Sequence, residues 1–357
     1  MALVDCEVLF GADLNQLAGP SITSILNDAA SEAWAFSFQV PLTGTIEAVV
    51  FRAGTVTSFQ DMTISLETVG TDGLPSGSNY GSSTAGTWTG GSSNTSPEVT
   101  LGTSATATIG DLVCVRGEWA GSAGNLNVNY LFGASASSRR FPKVLPDTGS
   151  GFVLTTGGKP MICLKYSGGI YVVPRGCAPP LSALTTVNTS SSSSPQEIGF
   201  WLTPNVKAML AACSVPMRTY GTTSNNTVAI YTTPAGTPSS QRSFTANHNQ
   251  VACVGHHQTF SWNPYEVAAS TDYVIGFLQS SVSSIDLTVV DVADANHWGG
   301  WAGGSNLVYA SRNSGGGAFT KTTTRKILGN VFFSQIDDGA GGGGLITHPG
   351  MSGGMRG

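Results

Sequence analysis

The sequence predicts an all-β protein built from two tandem antiparallel β-sandwich domains followed by a Gly-rich C-terminal tail. Short runs such as "ISLETV" and "NLNVNY" alternate apolar and polar residues and are rich in β-branched side chains. Clusters of Gly, Pro, Asn and Ser separate these runs, which is typical of turns. Six of the runs also recur in the same order in the second half of the chain, which indicates an internal duplication.

The duplicated runs lie about 160 residues apart throughout, and their sequence identity is low. The phrase "ISLETVGTDGLPSGS" of the first half, for example, matches "VAIYTTPAGTPSSQ" of the second. Roughly seven to nine strands fit in each repeat, which favours a jelly-roll-like sandwich. The six pairs are 34–40 with 198–204, 46–51 with 208–213, 64–78 with 228–241, 107–119 with 267–279, 125–130 with 285–290, and 159–166 with 325–333.

The predicted organisation has four parts. Residues 1–172 form the first sandwich with an N-terminal arm, 173–196 a Pro/Ser-rich linker, 197–336 the second sandwich, and 337–357 a Gly/Met-rich tail. The linker prediction depends on "VPRGCAPP", whose prolines stiffen the chain, and on the Ser-rich run after it. One short helix is expected within residues 20–35. A mobile loop is expected over residues 76–97, although it carries Tyr80 and Trp88.

Composition excludes several classes of function. Only 10% of residues are charged, against about 25% in typical proteins, and the net charge is −5. Without a basic stripe we expect no nucleic-acid partner. No apolar run is long enough to predict a membrane span, and the N-terminus lacks the basic region of a secretory signal. The surface polarity must come from Ser, Thr, Asn and Gly, a composition typical of extracellular or virion β-proteins.

The six cysteines lack C-x-x-C spacing and mostly fall in apolar runs. Buried thiols are therefore the expectation. If a disulfide exists, Cys6 and Cys177 are the first pair to test, because both lie outside obvious strands.

The search for catalytic chemistry finds no convincing motif, and the chain is predicted to be non-enzymatic and without cofactor. "GMSGG" in the tail matches G-x-S-x-G, but a nucleophile elbow needs a preceding strand and a following helix. A hydrolase would need an acid pair, and Glu98, Glu118 and Glu266 are scattered.

No metal site is predicted either. His248, His256 and His257 are close in sequence, but adjacent strand residues point to opposite faces, so ordinary polar packing is favoured. A Ca²⁺ site at Asp286, Asp291 and Asp294 is the alternative left open.

The strongest recognition candidate is the loop "DVADANHWGGW". Flat aromatic rings beside polar side chains suit a sugar, whose C–H groups stack and whose hydroxyls hydrogen-bond. The alternative is a purely structural one, in which the tryptophans of this loop cover the open end of the sandwich. Trp88 and Trp119 are weaker candidates for sugar binding in the first repeat. The predicted glycan- or receptor-binding residues are Asp294, Asn296, His297, Trp298 and Trp301.

The tail is too rich in glycine to form a core by itself. Its few apolar residues are predicted instead to seat in grooves of a neighbouring subunit and so to mediate assembly. These residues are Leu345, Ile346, Met351 and Met355.

These features together resemble virion surface proteins of tailed bacteriophages. The resemblance rests on the charge-poor tandem sandwiches, the Gly/Met tail and the strand-turn phrases, which are also similar to those of jelly-roll modules in fibres, decoration proteins and carbohydrate-binding modules. It implies a non-enzymatic, homo-oligomeric capsid decoration, head fibre or tail fibre subunit. Such a subunit would contact other virion proteins in the particle and host-surface glycans outside it. The alternative is a tandem carbohydrate-binding module of a surface or secreted adhesin.

Overall fold

The computed structural model describes residues 4–11, 21–30, 32–120, 124–132, 142–174, 176–180, 185–189, 195–204, 206–220, 224–248, 257–279, 285–291, 307–313 and 316–337. These residues form antiparallel β-sheets, which confirms the predicted all-β class. The one helical element among them is a 3₁₀ turn at Ser167–Gly169. None of their helical structure is long and apolar enough to cross a membrane.

The first half of the chain contributes strands β1 to β15. Their bounds are Val4–Gly11 (β1), Ser21–Asn27 (β2), Ala33–Gln39 (β3), Gly44–Phe51 (β4), Ala53–Thr57 (β5), Met62–Val69 (β6), Pro75–Asn79 (β7), Gly86–Trp88 (β8), Glu98–Ala107 (β9), Leu112–Trp119 (β10), Asn125–Phe132 (β11), Lys143–Asp147 (β12), Gly158–Pro160 (β13), Ile162–Tyr166 (β14) and Ile170–Val172 (β15).

The second half contributes strands β16 to β27. Their bounds are Thr185–Thr189 (β16), Glu197–Leu202 (β17), Ala208–Tyr220 (β18), Ser224–Thr232 (β19), Ser239–His248 (β20), His257–Val267 (β21), Tyr273–Gln279 (β22), Ile285–Asp291 (β23), Val308–Arg312 (β24), Thr320–Thr322 (β25), Arg325–Ile327 (β26) and Asn330–Ile336 (β27).

The two halves have the same strand order. In the first half one layer runs β12-β3-β10-β6-β7, and in the second half one layer runs β24-β17-β22-β19-β20. The other layer of the first half consists of β15-β14-β4-β9 and β13-β11-β2, with β5 paired to β11. Its counterpart runs β1-β27-β18-β23-β16, with β21 paired to β18 and β26 paired to β23. Each of the six sequence pairs therefore falls on strands that occupy equivalent places.

Strand β18 corresponds to β4 and β5 taken together. Its first part pairs with β21 and β27, and its last residues pair with β23. In the first half the same path is interrupted at Arg52, so that β4 pairs with β9 and β14 while β5 pairs with β11. One long bent strand thus serves the two sheet segments that two shorter strands serve in the other half.

The N-terminal strand belongs to the sheet of the second half, which differs from the predicted arm of a first domain spanning 1–172. Strand β1 pairs antiparallel with β27, with Val4 opposite Ile336 and Gly11 opposite Asn330. In this position β1 corresponds to β15, which pairs with β14 at the equivalent edge of the first half. Strand β15 follows β14 after the 3₁₀ turn, whereas β1 comes from the opposite end of the chain.

Three other segments differ from the sequence prediction. Instead of a helix, residues 20–35 contain β2 and the start of β3, and β2 pairs with β11 along its whole length. The predicted linker 173–196 contains β16, which pairs with β23. The predicted mobile loop 76–97 contains most of β7 and all of β8, and both strands pair with β6. In each case cross-strand pairing overrode the local composition.

The two layers of each half pack face to face around apolar side chains. In the first half the ring centroid of Trp34 lies 5.0 Å from that of Phe51 in the opposite layer. In the second half the ring centroids of Phe260 and Phe277, also in opposite layers, are 6.0 Å apart. One contiguous cluster of buried apolar residues includes members of both halves. The division into two separate domains therefore stays a prediction.

At one pair of equivalent core positions, the large and the small side chain lie on opposite strands in the two halves. In the first half the large Trp34 lies opposite Gly117 on neighbouring strands, and both are two residues from the pair Phe36–Val115. At the equivalent place in the second half the smaller Ile198 lies opposite the larger Phe277. A Cβ on Gly117 would be 2.3 Å from the Trp34 ring, so glycine is required there for close packing.

We expect Gly117→Ala to lower the free energy of unfolding by about 1–3 kcal/mol, because the added methyl group overpacks the core beside Trp34. Urea denaturation followed by tryptophan fluorescence measures this loss. Gly316→Ala is the matched control, since a Cβ at Gly316 would meet no atom within 4 Å. Equal stabilities of the two variants would contradict the packing argument.

Candidate functional site

The predicted ligand-binding residues Asp294, Asn296, His297, Trp298 and Trp301 lie outside the described residues. They belong to the connection from β23, in one layer of the second half, to β24, in the other layer. The predicted assembly residues of the tail, Leu345, Ile346, Met351 and Met355, also lie outside the described residues. Both sets stay predictions.

The weaker aromatic candidates of the first half are core residues. Trp88 and Trp119 are 8% and 1% exposed. The ring of Phe59 packs between them, with centroid distances of 4.5 Å to Trp88 and 5.6 Å to Trp119. Tyr80 is also buried, and its hydroxyl donates a hydrogen bond to Asp111 Oδ2 at 2.5 Å. The prediction of Trp88 and Trp119 as sugar-binding residues is therefore wrong.

The scattered acids that sequence reasoning weighed for hydrolysis each pair with a base. Glu98 Oε1 is 2.6 Å from Lys165 Nζ, Glu118 Oε2 is 3.1 Å from Arg116 Nη2, and Glu266 Oε2 is 2.6 Å from Lys207 Nζ. The structure does not bring these three carboxylates together as an acid pair.

Groups that could bind a metal ion, with three or more His, Cys, Asp or Glu side chains, are absent from the part of the chain that the structure describes. The histidine and aspartate candidates named from the sequence fall mainly on side chains outside that part. Cys114 and Cys213 are buried thiols, and burial raises the pKa of Cys114 to about 12. Such thiols are protonated and unreactive at neutral pH. The side chain of Cys6 is not described, so a Cys6–Cys177 pair stays untested.

Sequence reasoning missed a buried charged cluster on the outer face of the second half. We call Glu197, Tyr231, Arg312 and Phe319 the Arg312 cluster. Glu197 begins β17 and lies directly opposite Arg312 at the end of β24. Arg312 Nε donates to Glu197 Oε2 at 2.5 Å, and Arg312 Nη2 contacts the same oxygen. The side chains of Glu197 and Arg312 are 0% and 3% exposed.

The remaining contacts of Arg312 hold the loop after β24 against the sheet. Its Nη2 donates to the Tyr231 hydroxyl at 3.2 Å, and its Nη1 donates to the Gly317 carbonyl at 3.3 Å. The guanidinium carbon lies 4.8 Å from the Tyr231 ring centroid and 4.4 Å from the Phe319 ring centroid, as in cation–π contacts. The cluster is therefore closed, because protein groups accept hydrogen bonds from the guanidinium and two aromatic rings, whose centroids are 5.3 Å apart, pack against it.

Gly276 makes room for this cluster. It lies on β22 between Gly199 of β17 and Ala229 of β19. A Cβ at Gly276 would be 2.3 Å from Glu197 Oε1 and 3.0 Å from the Tyr231 ring. The absence of a side chain thus lets the carboxylate and the phenol ring meet above the sheet.

The first half carries a related but more open cluster at the equivalent face. We call Glu67, Arg116, Glu118 and Phe152 the Arg116 cluster. Arg116 Nη1 is 3.5 Å from Glu67 Oε1, and the guanidinium lies 6.0 Å from the Phe152 ring centroid. Phe152 and Phe319 both come from the loop that directly follows one of two equivalent strands, β12 or β24.

Exposure distinguishes the two clusters. The side chains of Arg116 and Glu118 are 28% and 49% exposed, and Val153 and Leu154 beside Phe152 are also exposed. The Arg116 cluster thus offers hydrogen-bond donors, acceptors and apolar surface to a ligand, whereas the Arg312 cluster is sequestered. Among the described residues, the Arg116 cluster together with Val153 and Leu154 is the best candidate contact surface.

Burial sets the pKa values in the Arg312 cluster. Desolvation raises the pKa of Glu197, while the Arg312 charge acts in the opposite direction. Desolvation and the negative charge of Glu197 raise the pKa of Tyr231 to about 12. The tyrosine therefore stays protonated as a hydrogen-bonding phenol at physiological pH.

Lys326 is the most unusual ionisable group in the described structure. Its side chain on β26 is 0% exposed, and its Nζ has no hydrogen-bond partner among the described residues. Desolvation, and to a lesser extent the charge of Lys321, lower the pKa of Lys326 to about 7. Lys159 on the equivalent strand β13 is also buried, but it lies opposite Leu131, whereas the counterpart of the Lys326–Val290 pair is Pro160–Tyr130.

Comparisons with known proteins identify no family for this chain: no family model, no curated protein and no solved structure matches it.

We expect Arg312→Met to lower the free energy of unfolding by about 3–5 kcal/mol, because Glu197 would remain buried without its cation. Arg116→Met is the control at the equivalent cluster. Its loss should be about 1 kcal/mol or less, since Arg116 is 28% exposed and the buried Glu67 keeps its hydrogen bonds from Ser65 and Gly77. Denaturant unfolding of both variants tests the difference, and similar losses would contradict the assigned burial.

We expect Lys326→Met to stabilise the protein at neutral pH by about 1–3 kcal/mol, since it removes an unpartnered buried amine. The pKa of Lys326 is about 7 when folded and near 10.5 when unfolded, so the unfolded state binds more protons between these values. The lysine is therefore most costly below pH 7, and its cost decreases as pH rises toward 10.5.

The measurement is the difference in unfolding free energy between Lys326→Met and wild type across this pH range. Lys207→Met is the control, because Lys207 is 43% exposed. A difference that does not shrink with rising pH would show that Lys326 keeps an ordinary pKa in the folded protein.

Proposed function

We propose that the protein is a non-enzymatic structural protein of a bacteriophage virion, displayed on the particle surface as a capsid decoration, head fibre or tail fibre subunit. In this function the chain attaches to the particle at one end and presents its sandwiches outward. Its partners are other virion proteins and further copies of itself, and its outer ligands are host-surface glycans.

The position of the chain ends is the observation that carries this proposal. Strand β1 starts with Val4 opposite Ile336, the last residue of β27. The backbone N–H of the next residue, Asp337, donates to the Lys207 carbonyl at 2.8 Å, which fixes the start of the C-terminal segment. The first residue of β1 and the residue that follows β27 therefore lie at the same end of the sheet. An attachment segment at this corner leaves the remaining faces of both halves free for display.

The architecture and composition add support. Two equivalent halves built from antiparallel layers make a scaffold, and the low charge leaves a surface of Ser, Thr, Asn and Gly. Of the two charged clusters, the Arg312 cluster serves packing, because it holds a loop onto a sheet face. These features suit a structural protein, since a rigid sheet with a covered outer face supports display rather than movement.

Quantitative mass spectrometry of purified particles of the encoding phage tests the proposal. We expect the wild-type chain in several copies per particle. Replacing Leu345, Ile346, Met351 and Met355 together with Ser should abolish incorporation without changing the melting temperature. The matched control replaces the four glycines 341–344 with Ser, which alters the tail equally without removing its apolar residues. Absence of the wild-type chain from particles, or normal incorporation of the first variant, would refute the proposal.

A further inference from the structure

The edge of β27 is covered by β1, a strand that is not joined to β27 by a hairpin or any other short connection. In the first half, β15 is joined to β14 through the three residues Ser167–Gly169, so its pairing is a hairpin within one segment. At the equivalent edge of the second half, β1 pairs with β27 from the other end of the sequence. Among the described residues between 185 and 337, the second half therefore lacks an edge strand of its own at β27.

An uncovered β27 edge would present unpaired backbone N–H and C=O groups. Such an edge is a template for another strand. The pairing of β1 extends over Val4–Gly11, with one register shift between Asp5 and Val8, and thus covers nearly the whole length of β27. Strand β1 also lies in contact with β15, so the acceptor edge sits where the equivalent edges of the two halves meet.

The N-terminal strand of another copy has the same sequence and satisfies the same backbone groups. Exchange of an identical element preserves every contact of the closed form and changes only the connection between the strand and its own chain. Pairing within one chain is favoured when protein is dilute, because the strand is tethered nearby. The population of the strand-exchanged form increases as the protein concentration rises toward the effective concentration of the tethered strand.

We propose that the β27 edge is a strand-binding site for Val4–Gly11 of a second copy of this chain, so that copies join by exchanging their N-terminal strands. This inference depends on the pairing of β1 with β27 and is independent of the proposed virion function. It specifies the site, the bound segment and the partner.

Disulfide trapping between two differently marked full-length chains tests the proposal. One chain carries Leu9→Cys and the other carries Phe332→Cys, both with Cys6→Ser. Leu9 and Phe332 are directly opposite in the β1–β27 pairing, and facing residues of antiparallel strands lie within the span of a disulfide. We expect the two chains, unfolded and refolded together at high concentration, to form a covalent heterodimer under mild oxidation.

Two controls define the baseline. Leu9→Cys mixed with Gly316→Cys measures random cross-linking, because Gly316 is exposed and lies in the loop between β24 and β25, which belong to the other layer. A chain carrying Lys165→Cys and Tyr171→Cys links the facing residues of the β14–β15 hairpin, and this disulfide must stay within one chain at every concentration. We expect the heterodimer yield of the test pair to exceed the random baseline several-fold and to increase with concentration.

A further chain carrying both Leu9→Cys and Phe332→Cys separates the remaining outcomes. Internal cross-linking of this chain without heterodimer formation in the mixture would overturn strand exchange. Absence of any cross-link, internal or between chains, would overturn the β1–β27 pairing itself. Either result refutes the proposal.

Discussion

This architecture depends on covering the exposed hydrogen-bonding side of the strand at the edge of each antiparallel layer. A β-strand has two hydrogen-bonding sides, and an exposed edge invites pairing with another chain. The first half covers the β14 edge with β15, three residues long and joined through a local turn. The second half covers the corresponding β27 edge with β1, from the far end of the sequence. This pairing places Val4 opposite Ile336 and makes the second half depend on residues that precede the first.

The outer faces of the sheets impose a second requirement. One layer in each half buries its inner face against the other layer, yet parts of its outer face are buried too. The cover is the loop after β12 in the first half and the loop between β24 and β25 in the second, which places Phe152 over Arg116 and Phe319 over Arg312. A guanidinium is well suited to this position, since it binds carboxylates through its edge and stacks on rings with its face. A charge-poor chain thus uses two of its few arginines to fasten loops onto sheets.

The sequence was sufficient to predict the strand class, the order of the repeated runs and their correspondence between halves. Alternation and turn residues are local signals, and duplication amplified them because each run was seen twice. The partner of β1 could not be predicted, since no local pattern couples Val4 to Ile336. The Arg312 cluster was missed for the same reason: Glu197 and Arg312 are 115 residues apart and meet only through strand pairing. Trp88 and Trp119 were weaker sugar-binding candidates, but both rings are buried. In the case of Trp88, the Gly/Ser-rich composition around it concealed strand β8, which places the Trp88 ring in the core.

Low identity between equivalent runs follows from how the core is packed. At one pair of equivalent positions the first half combines Trp34 with Gly117, and the second combines Ile198 with Phe277. The large ring lies on β3 in one case and on β22, the counterpart of β10, in the other. Cores tolerate several simultaneous substitutions when total volume and patterning are kept. Neither half could acquire one of these changes alone without a clash or a cavity. The same strand order therefore accommodates different residues at equivalent core positions, because two facing strands can supply the required volume in different ways.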